Sequence, residues 1–228
     1  LSCVDQFIIA NRLANKKRYS KYGPVLVLEN FPLKKNIQEI KKQKRIYKIV
    51  YHGQISKERG ILTLIKAFNL LYKKNDKIEL TLIGSVRTKL LKEKINHLIF
   101  KNKKIKLIDH VPHDQIWSYL NKSHIGVIPF NDAPLFQHNT PTKLFEYMAT
   151  NCSIVSSDFK PISEFAKDTI RLINPSNEFE LASNINHYIK DIVLYNFDTM
   201  KNNELVQTQY HWECISIKLI NIYKSLKK

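Results

Sequence analysis

The segment HNTPTKLFEYMA, at 138–149, combines residue types that suit binding of a phosphorylated ligand. Thr140 is a good N-cap and Pro141 favours the first helical position, so a helix is predicted to begin here. The first N–H groups of a helix are unpaired and partly positive, which makes such an end a phosphate site. Lys143 in the first turn opposes the helix dipole unless an anion is bound. Glu146, further along, could accept both hydroxyls of a ribose.

A second segment, GQISKERG at 53–60, lies between a predicted strand and a predicted helix. Gly53 would let the backbone approach a ligand closely, and the guanidinium fork of Arg59 could hold a diphosphate. Each segment also has a purely structural interpretation. Polar loops with two cations are common, and a surface Lys and Glu are ordinary on an amphipathic helix.

Alternating strands and helices would position these two segments. Apolar runs predict strands at 47–53, 77–84, 104–111, 124–130, 152–158 and 170–176. Helical spacing predicts helices at 61–74, in the Lys-rich stretch up to Phe100, and at 113–123, 140–150, 161–168 and 178–192. This order indicates βαβ units and an α/β fold, with a Rossmann-like parallel sheet covered by helices on both faces. Ligands of such sheets bind beyond the carboxyl ends of the strands.

Two flanking regions lie outside this unit. Residues 7–22 have the pattern of a helix and residues 24–30 that of a strand. The polar, Lys-rich stretch 33–46 suits a linker, and residues 211–226 predict an amphipathic helix. Because the chain begins with Leu1 inside a segment with structural patterning, we expect it to be a fragment of a longer protein.

The net charge of +17 is carried mainly by lysine, which supplies 31 of the 37 basic residues. Nucleic-acid binders cluster Lys and Arg with aromatic residues on one face, whereas these lysines are spread from Lys16 to Lys228. No nucleic-acid partner is predicted. A solvated, lysine-rich surface is the first interpretation, and attraction to an anionic membrane surface is the second.

The remaining composition argues against metals, disulfides and membrane spans. The three cysteines are far apart and form no C-x-x-C pair, which fits a reducing cytoplasm. None of the scattered histidines pairs with a carboxylate or thiol at metal-ligand spacing, so no metal site is predicted. No apolar run approaches the roughly 18–20 residues that span a bilayer, and no signal-peptide pattern is present. A cytoplasmic location is therefore expected.

An ordered set of motifs runs through the chain: YHGQISKERG, ELTLIG, LIDHVPHDQIWSYL, GVIPF, PTKLFEYMA and IVSSD. This set resembles the C-terminal, donor-binding domain of family-4 (group 1) glycosyltransferases of the GT-B fold, over about residues 47–176 and more weakly on to 228. The ordered set is far more specific than any single motif. The resemblance implies a retaining, metal-independent transfer of a sugar from a nucleoside diphosphate to an acceptor glycan or lipid-linked glycan, in cell-surface polysaccharide or glycolipid synthesis, without a cofactor.

The resemblance also implies roles for particular residues. Glu146 would hold the donor ribose, and Arg59 and Lys143 would stabilise the diphosphate. The backbone of 110–112 would receive the nucleobase, and the amides of 140–142 would face the phosphates. The complete donor-binding set implied is Gly53, Gln54, Lys57, Gly84, His110, Val111, Pro112, His138, Asn139, Thr140, Pro141 and Thr142.

Three departures from the family pattern are visible. His138 stands where the family has its first glutamate, and Gln54 replaces the Arg that commonly follows the opening glycine. Most of the N-terminal domain, which supplies the acceptor pocket, is missing. The resemblance accordingly divides the chain into a remnant of the N-terminal domain at 1–32, a linker at 33–46, the donor-binding domain at 47–205 and a helix crossing back at 206–228, and the fragment alone is expected to be inactive.

Two other functions remain open at this stage. A sugar-nucleotide epimerase can be built on the same two-domain fold, although such enzymes need carboxylates at the sugar end, where this chain has His138. A non-catalytic nucleotide-sugar-binding module is the third hypothesis, because the domain that supplies the acceptor pocket is missing from this fragment. Glycosyl transfer and donor hydrolysis by the full-length protein separate the glycosyltransferase from the epimerase.

Overall fold

The computed structural model describes residues 4–10, 16–37, 42 and 45–225. The strands in this part of the chain are β1 (Phe7–Ile9), β2 (Val25–Val27), β3 (Tyr47–His52), β4 (Ile78–Ile83), β5 (Ile105–Ile108), β6 (Ile125–Ile128), β7 (Ser153–Ser157) and β8 (Arg171–Ile173). The α-helices there are α1 (Lys16–Tyr19), α2 (Ile61–Tyr72), α3 (Lys89–Lys101), α4 (His113–Leu120), α5 (Thr142–Ala149), α6 (Lys160–Ala166), α7 (Glu178–Lys190), α8 (Ile192–Thr208) and α9 (Trp212–Ser225). Short 3₁₀ turns lie at Lys34–Asn36 and Pro134–Gln137.

Strands β3 to β8 form one sheet in the order β5-β4-β3-β6-β7-β8, and the adjacent strands pair in parallel. The chain runs outward from β3 to one edge of the sheet, then returns to β6 and runs to the other edge. Ligands of open parallel sheets bind in the crevice where the strand order reverses, outside the carboxyl ends. In this sheet that crevice lies between β3 and β6.

The sheet is covered on both faces. Ile49 and Tyr51 of β3 belong to a core with Phe68 of α2 and Tyr188 of α7. Val50, between them in sequence, belongs to a second core formed largely by α4, α5 and α6. Successive side chains of a strand point to opposite faces, so the two cores lie on opposite sides of the sheet. The predicted α/β, Rossmann-like architecture is confirmed.

The N-terminal region differs from the prediction of a helix over 7–22. Phe7–Ile9 is a strand that pairs in parallel with Val25–Val27, and the described residues between them contain one helical turn, Lys16–Tyr19. The apolar run at 7–9 is therefore used in strand pairing rather than as a helix face. The rest of this predicted helix includes residues 11–15, which lie outside the described residues.

The predicted linker at 33–46 is only partly described, because 38–41, 43 and 44 lie outside the described residues. The Lys34–Asn36 turn occupies its start. Lys42 is held in place, since its Nζ donates to the backbone carbonyls of Thr150 and Asn151, 3.0 Å away in the second case. This part of the stretch is therefore anchored to the loop between α5 and β7.

Helix α8 was absent from the predicted elements. It buries polar residues, including Asp198 and Asn202, so its sequence lacks the apolar periodicity of an amphipathic helix. Tyr188 Oη donates to Asp198 Oδ2 at 2.7 Å, and Asn202 Nδ2 donates to the carbonyl of Thr169 at 2.9 Å. Hydrogen bonds thus offset the cost of burying these groups.

No helix in the described part of the chain is long and apolar enough to cross a membrane.

Close backbone approaches at the carboxyl edge require glycine. A Cβ on Gly84, where φ is +140°, would lie 2.0 Å from the carbonyl oxygen of Gly53. Gly60 is the N-cap residue of helix α2, with φ +69°, and a Cβ there would lie 1.6 Å from the carbonyl oxygen of Pro129. The loops after β3, β4 and β6 can therefore pack against one another only because these side chains are absent.

We predict that Gly60→Ala lowers the free energy of unfolding by about 2 kcal/mol or more, because it combines a left-handed backbone with a clash against a carbonyl. Gly23→Ala is the matched control, since its Cβ would make an ordinary contact 3.5 Å from Phe7, and we expect a change within about 0.5 kcal/mol. Urea unfolding of both variants measures the difference. Equal stability of the two would contradict the close packing of these loops.

Candidate functional site

Two adjoining cavities lie at the carboxyl edge of the sheet. The first, of about 440 Å³, is lined by the ends of β3 and β4 and the loop before α4. The second, of about 530 Å³, is lined by the start of α5, the loop after β3 and residues 30–32. His52, Gly53 and His113 line both cavities, so the two form one continuous site at the crevice between β3 and β6.

The structure brings many of the predicted residues together. Gln54, Gly84, His110 and Val111 line the first cavity, and Gly53 is shared by both. The second cavity is lined by the predicted residues Arg59, Thr142, Lys143 and Glu146. The groups predicted to hold base, diphosphate and ribose thus meet at one edge of the sheet.

Other predicted residues lie apart from these cavities. Lys57 lines a separate apolar cavity together with Leu62 and Leu91. Pro112 directly precedes α4 as its N-cap residue. Residues 138–141 do not line either of the two cavities. Within that stretch His138 ends the 3₁₀ turn Pro134–Gln137 as an exposed residue, and Asn139, also exposed, donates from Nδ2 to the carbonyl of Leu135 at 3.0 Å.

Helix α5 begins later than predicted. The N-cap is Pro141, in an extended conformation and without a side-chain hydrogen bond, and the first helical residue is Thr142. The prediction of Thr140 as N-cap and Pro141 as first helical residue is therefore wrong by one position. Because the Pro141 side chain has no acceptor atom and the buried Thr140 Oγ1 has no hydrogen-bond partner, the first amides of α5 gain no side-chain cap.

Glu146 is a buried carboxylate held between two imidazole rings. His113 Nε2 donates to its Oε1 at 2.8 Å. His52 Nε2 lies 3.0 Å from its Oε2, at ion-pair distance but outside hydrogen-bond alignment. Burial acts to raise the pKa of Glu146, but the two rings outweigh it and hold that pKa at about 2. The carboxylate is therefore ionised at neutral pH.

The two histidines differ in their surroundings. His52, the last residue of β3, is buried, and desolvation lowers its pKa despite the adjacent Glu146. His113, the first residue of α4, is largely exposed, and its hydrogen bond to Glu146 raises its pKa. Sequence reasoning missed both residues. The available signal was their position, since each directly flanks a strand-end loop of the predicted site.

Lys143 is a buried cation. Its Nζ donates to the backbone carbonyl of His52 and lies 4.0 Å from the centre of the Tyr51 ring. Desolvation and the nearby charge of Arg59 lower the pKa of Lys143 well below its usual value. The Arg59 guanidinium lies 5.7 Å from the centre of the Phe130 ring. Among the described residues, no carboxylate forms an ion pair with either cation, so both remain available to an anionic ligand.

The geometry offers an anion site beside a hydroxyl-accepting carboxylate. No group of three or more His, Cys, Asp or Glu residues in the described ranges could hold a metal ion. A polyanion placed at the start of α5 would meet two cations and unpaired helix amides.

The comparisons with known proteins address the same region. The family model described as "Glycosyl transferases group 1" matches residues 32–203. The chain belongs to this family. Over 130 residues it is 31% identical to the capsular polysaccharide biosynthesis glycosyltransferase CapM of Staphylococcus aureus, a match that covers 54% of this chain and 34% of CapM. The chain thus spans about a third of that relative.

Solved structures share the fold. A sucrose-phosphate synthase from Thermosynechococcus elongatus superposes with a TM-score of 0.80 at 18% identity, over 99% of this chain and 59% of the synthase. The C-terminal domain of the group 1 glycosyltransferase LpcC from Francisella tularensis gives a TM-score of 0.64 at 21% identity, over 80% of this chain and 96% of that domain. Anabaena HepE, in complex with UDP and glucose, gives a TM-score of 0.78 at 13% identity, over 96% of this chain and 62% of HepE. These likenesses establish the GT-B type of Rossmann-like fold.

We predict that Lys143→Met raises the free energy of unfolding at neutral pH by roughly 1–3 kcal/mol, because it removes a desolvated charge without a carboxylate partner. A lysine whose pKa is lowered by folding destabilises the folded state below that pKa, and the penalty disappears as pH rises towards the unfolded value. The advantage of the variant should therefore shrink towards about pH 10.

Urea unfolding across this pH range provides the measurement. The control is Lys66→Met, which removes an exposed lysine paired with Glu178 and should change the stability by less than about 0.5 kcal/mol. A Lys143→Met variant less stable than the wild type at every pH would show that the contacts of the lysine outweigh its desolvation.

Proposed function

We propose that this chain is the donor-binding half of a retaining, metal-independent glycosyltransferase that uses a nucleoside-diphosphate sugar and no cofactor. The observation that carries the proposal is the convergence of Arg59, Lys143 and Glu146 in one cavity at the crevice of a parallel sheet. Arg59 comes from the loop after β3, whereas Lys143 and Glu146 lie on α5. Their meeting in one cavity matches the diphosphate and the ribose of a nucleotide sugar.

In this proposal each part of the donor has a partner. The diphosphate lies at the start of α5, near the amides of Thr142 and Lys143 and the guanidinium of Arg59. The ribose hydroxyls donate to Glu146, and the nucleobase enters the first cavity beside His110 and Val111. Departure of the sugar leaves a diphosphate with greater negative charge, and preorganised cations and N–H groups stabilise that charge without a metal.

The domain boundaries are part of the proposal. Residues 47–205 form the donor-binding domain, and 1–32 form the remnant of an N-terminal domain that supplies the acceptor pocket. Residues 206–228, which contain the end of α8 and all of α9, return to that domain. Contacts at the start of α9 support this arrangement. The N–H of Trp212 donates to the carbonyl of Pro32 at 2.8 Å, and Glu213 Oε2 accepts from the N–H of Lys34 at 2.9 Å.

The acceptor is proposed to be a glycan or lipid-linked glycan in cell-surface polysaccharide synthesis. The similarity to the capsular polysaccharide glycosyltransferase CapM supports this substrate class. An epimerase on the same fold is the alternative of different chemistry. It is less favoured because no described carboxylate other than Glu146 lines the second cavity, and a binding module without turnover is the third candidate.

We further propose a cytoplasmic location with peripheral contact to an anionic membrane. The net charge of +17 supports attraction to acidic lipids. Helix α8 adds an apolar component, because Val193, Phe197 and Met200 are exposed on one side of it and Lys201 is exposed beside them. A lipid surface would cover the apolar side chains while its acidic headgroups meet lysine.

Co-sedimentation with vesicles tests this contact. We expect binding to phosphatidylcholine vesicles that contain phosphatidylserine, loss of binding in high salt, and clear weakening in the double variant Val193→Ser/Phe197→Ser. The matched control is Leu90→Ser/Phe100→Ser, which removes two apolar residues from α3 that are at least as exposed as those of α8. Equal binding by both double variants would contradict a role for α8, and salt-independent binding would contradict the electrostatic component.

Donor binding is tested by the thermal shift of the protein with UDP, GDP, ADP and CMP sugars. We predict that one nucleoside-diphosphate series raises the midpoint of unfolding, because ligand binding stabilises the folded state, and that Glu146→Ala abolishes most of this shift. The control is Glu164→Ala, which removes a carboxylate on α6 that lines a different cavity.

Two outcomes would contradict the proposed site: stabilisation by none of the donors, or equal stabilisation of the wild type and Glu146→Ala. Assays of glycosyl transfer, epimerisation and donor hydrolysis by the full-length protein then decide among the three candidate functions. Transfer to an acceptor supports the glycosyltransferase, whereas donor binding without turnover supports the binding module.

A further inference from the structure

The carboxylate proposed to accept ribose hydroxyls is occupied by imidazoles in the structure. His113 Nε2 is bonded to Glu146 Oε1 at 2.8 Å, and His52 Nε2 lies 3.0 Å from Oε2. Both histidines line both cavities of the site, and Glu146 lines the second. The Glu146 side chain is only 6% exposed and its Oε2 is buried, so a ribose can reach the carboxylate only where one of these rings gives way.

The two rings are not equally able to move. The side chain of His52 is only 10% exposed, and its ring packs edge-on against Tyr147, with ring centres 5.2 Å apart. The side chain of His113 is 69% exposed. Its ring contact is Trp117, with ring centres 5.9 Å apart, on the same short helix. Rotation of His113 into solvent would free Glu146 Oε1 without disturbing the core. Movement of His52 would disrupt the packing of the core.

We propose that the His113 imidazole is a displaceable occupant of the Glu146 carboxylate, which the ribose of the donor replaces when it binds. This inference rests on the proposed function and adds a positioning residue to it. In the empty site His113 supplies the hydrogen bond that a buried carboxylate requires, and it orients the Glu146 side chain for the incoming hydroxyl. Breaking this hydrogen bond costs free energy, which lowers the affinity of the site for the donor.

Protonation of His113 would make this competition depend on pH. The groups that face its ring are Glu146 on α5, His52 on β3 and Asp114 on its own helix. The hydrogen bond to Glu146 raises the pKa of His113, and a displaced ring loses that bond. Donor binding therefore releases a proton, and donor affinity should fall as pH drops through the raised pKa. Burial lowers the pKa of His52, the direction opposite to that of His113.

Titration calorimetry with UDP-glucose, GDP-mannose and ADP-glucose tests the inference, because the diphosphate of a nucleotide sugar keeps a constant charge near neutral pH. We expect the donor that binds to lose up to about tenfold in affinity for the wild type between about pH 8 and 5.5. His113→Gln keeps a neutral donor for Glu146 and should lose this dependence. His113→Ala removes the competitor and should bind about three- to tenfold more tightly near pH 6.

Two controls make the test specific. His97→Gln alters an exposed histidine on α3 and should retain the wild-type pH profile. The His113 ring can also be titrated by NMR without ligand, where its pKa should return towards the ordinary value in Glu146→Gln. This second readout reports the contact itself and does not depend on which donor is used.

The outcomes separate the inference from the function beneath it. If Glu146→Ala abolishes binding but His113→Gln keeps the wild-type pH profile, displacement of His113 is wrong and the donor site stands. Weaker binding by His113→Ala at every pH would also overturn the inference, because His113 would then help to hold the donor. Undiminished binding by Glu146→Ala, or binding of none of the three donors, would overturn both.

Discussion

The burial of the ionised Glu146 carboxylate is the interaction on which the arrangement of the site depends. A buried charge is costly unless it is paired and hydrogen-bonded. The structure meets this requirement with two rings from different segments: His52 at the end of β3 and His113 at the start of α4. Strand β3, helix α4 and helix α5 must therefore converge at one point. The reversal of strand order between β3 and β6 provides that point, since it leaves a crevice at the carboxyl edge of the sheet.

Periodicity of apolar residues was sufficient to predict the sheet and most of its helices, because these elements bury one apolar face or lie wholly inside. Strand β3 shows why: its residues alternate between two cores, and both cores are apolar. Helix α8 could not be found in this way, because the residues it buries are polar and are stabilised by distant partners such as Tyr188 and Thr169. The prediction of a helix at Phe7–Ile9 was wrong for a related reason, since a short apolar run fits a helix or a strand until its partner is known.

The site was predictable to the extent that it consists of strand-end loops. Arg59 and Lys143 lie far apart in sequence, and the carboxyl ends of parallel strands bring them together. The pairing of His52 and His113 with Glu146 was not predictable, because spacing tests for ligands search along one helix or loop and these residues come from three elements. The start of α5 was misplaced because N-cap rules favour threonine, whereas the chain uses the extended Pro141 instead.

Lys143 and Glu146 are each stabilised by other groups of the site, and not by each other. Lys143 and Glu146 lie on the same helix, yet the lysine is held by a backbone carbonyl and an aromatic ring, and the carboxylate by imidazoles. A direct ion pair would satisfy both charges and leave neither for a ligand. Neutral or exchangeable partners lower the cost of burial while leaving the cation able to meet an anion and the carboxylate able to meet a hydroxyl. The site is therefore preorganised for charge that a ligand brings.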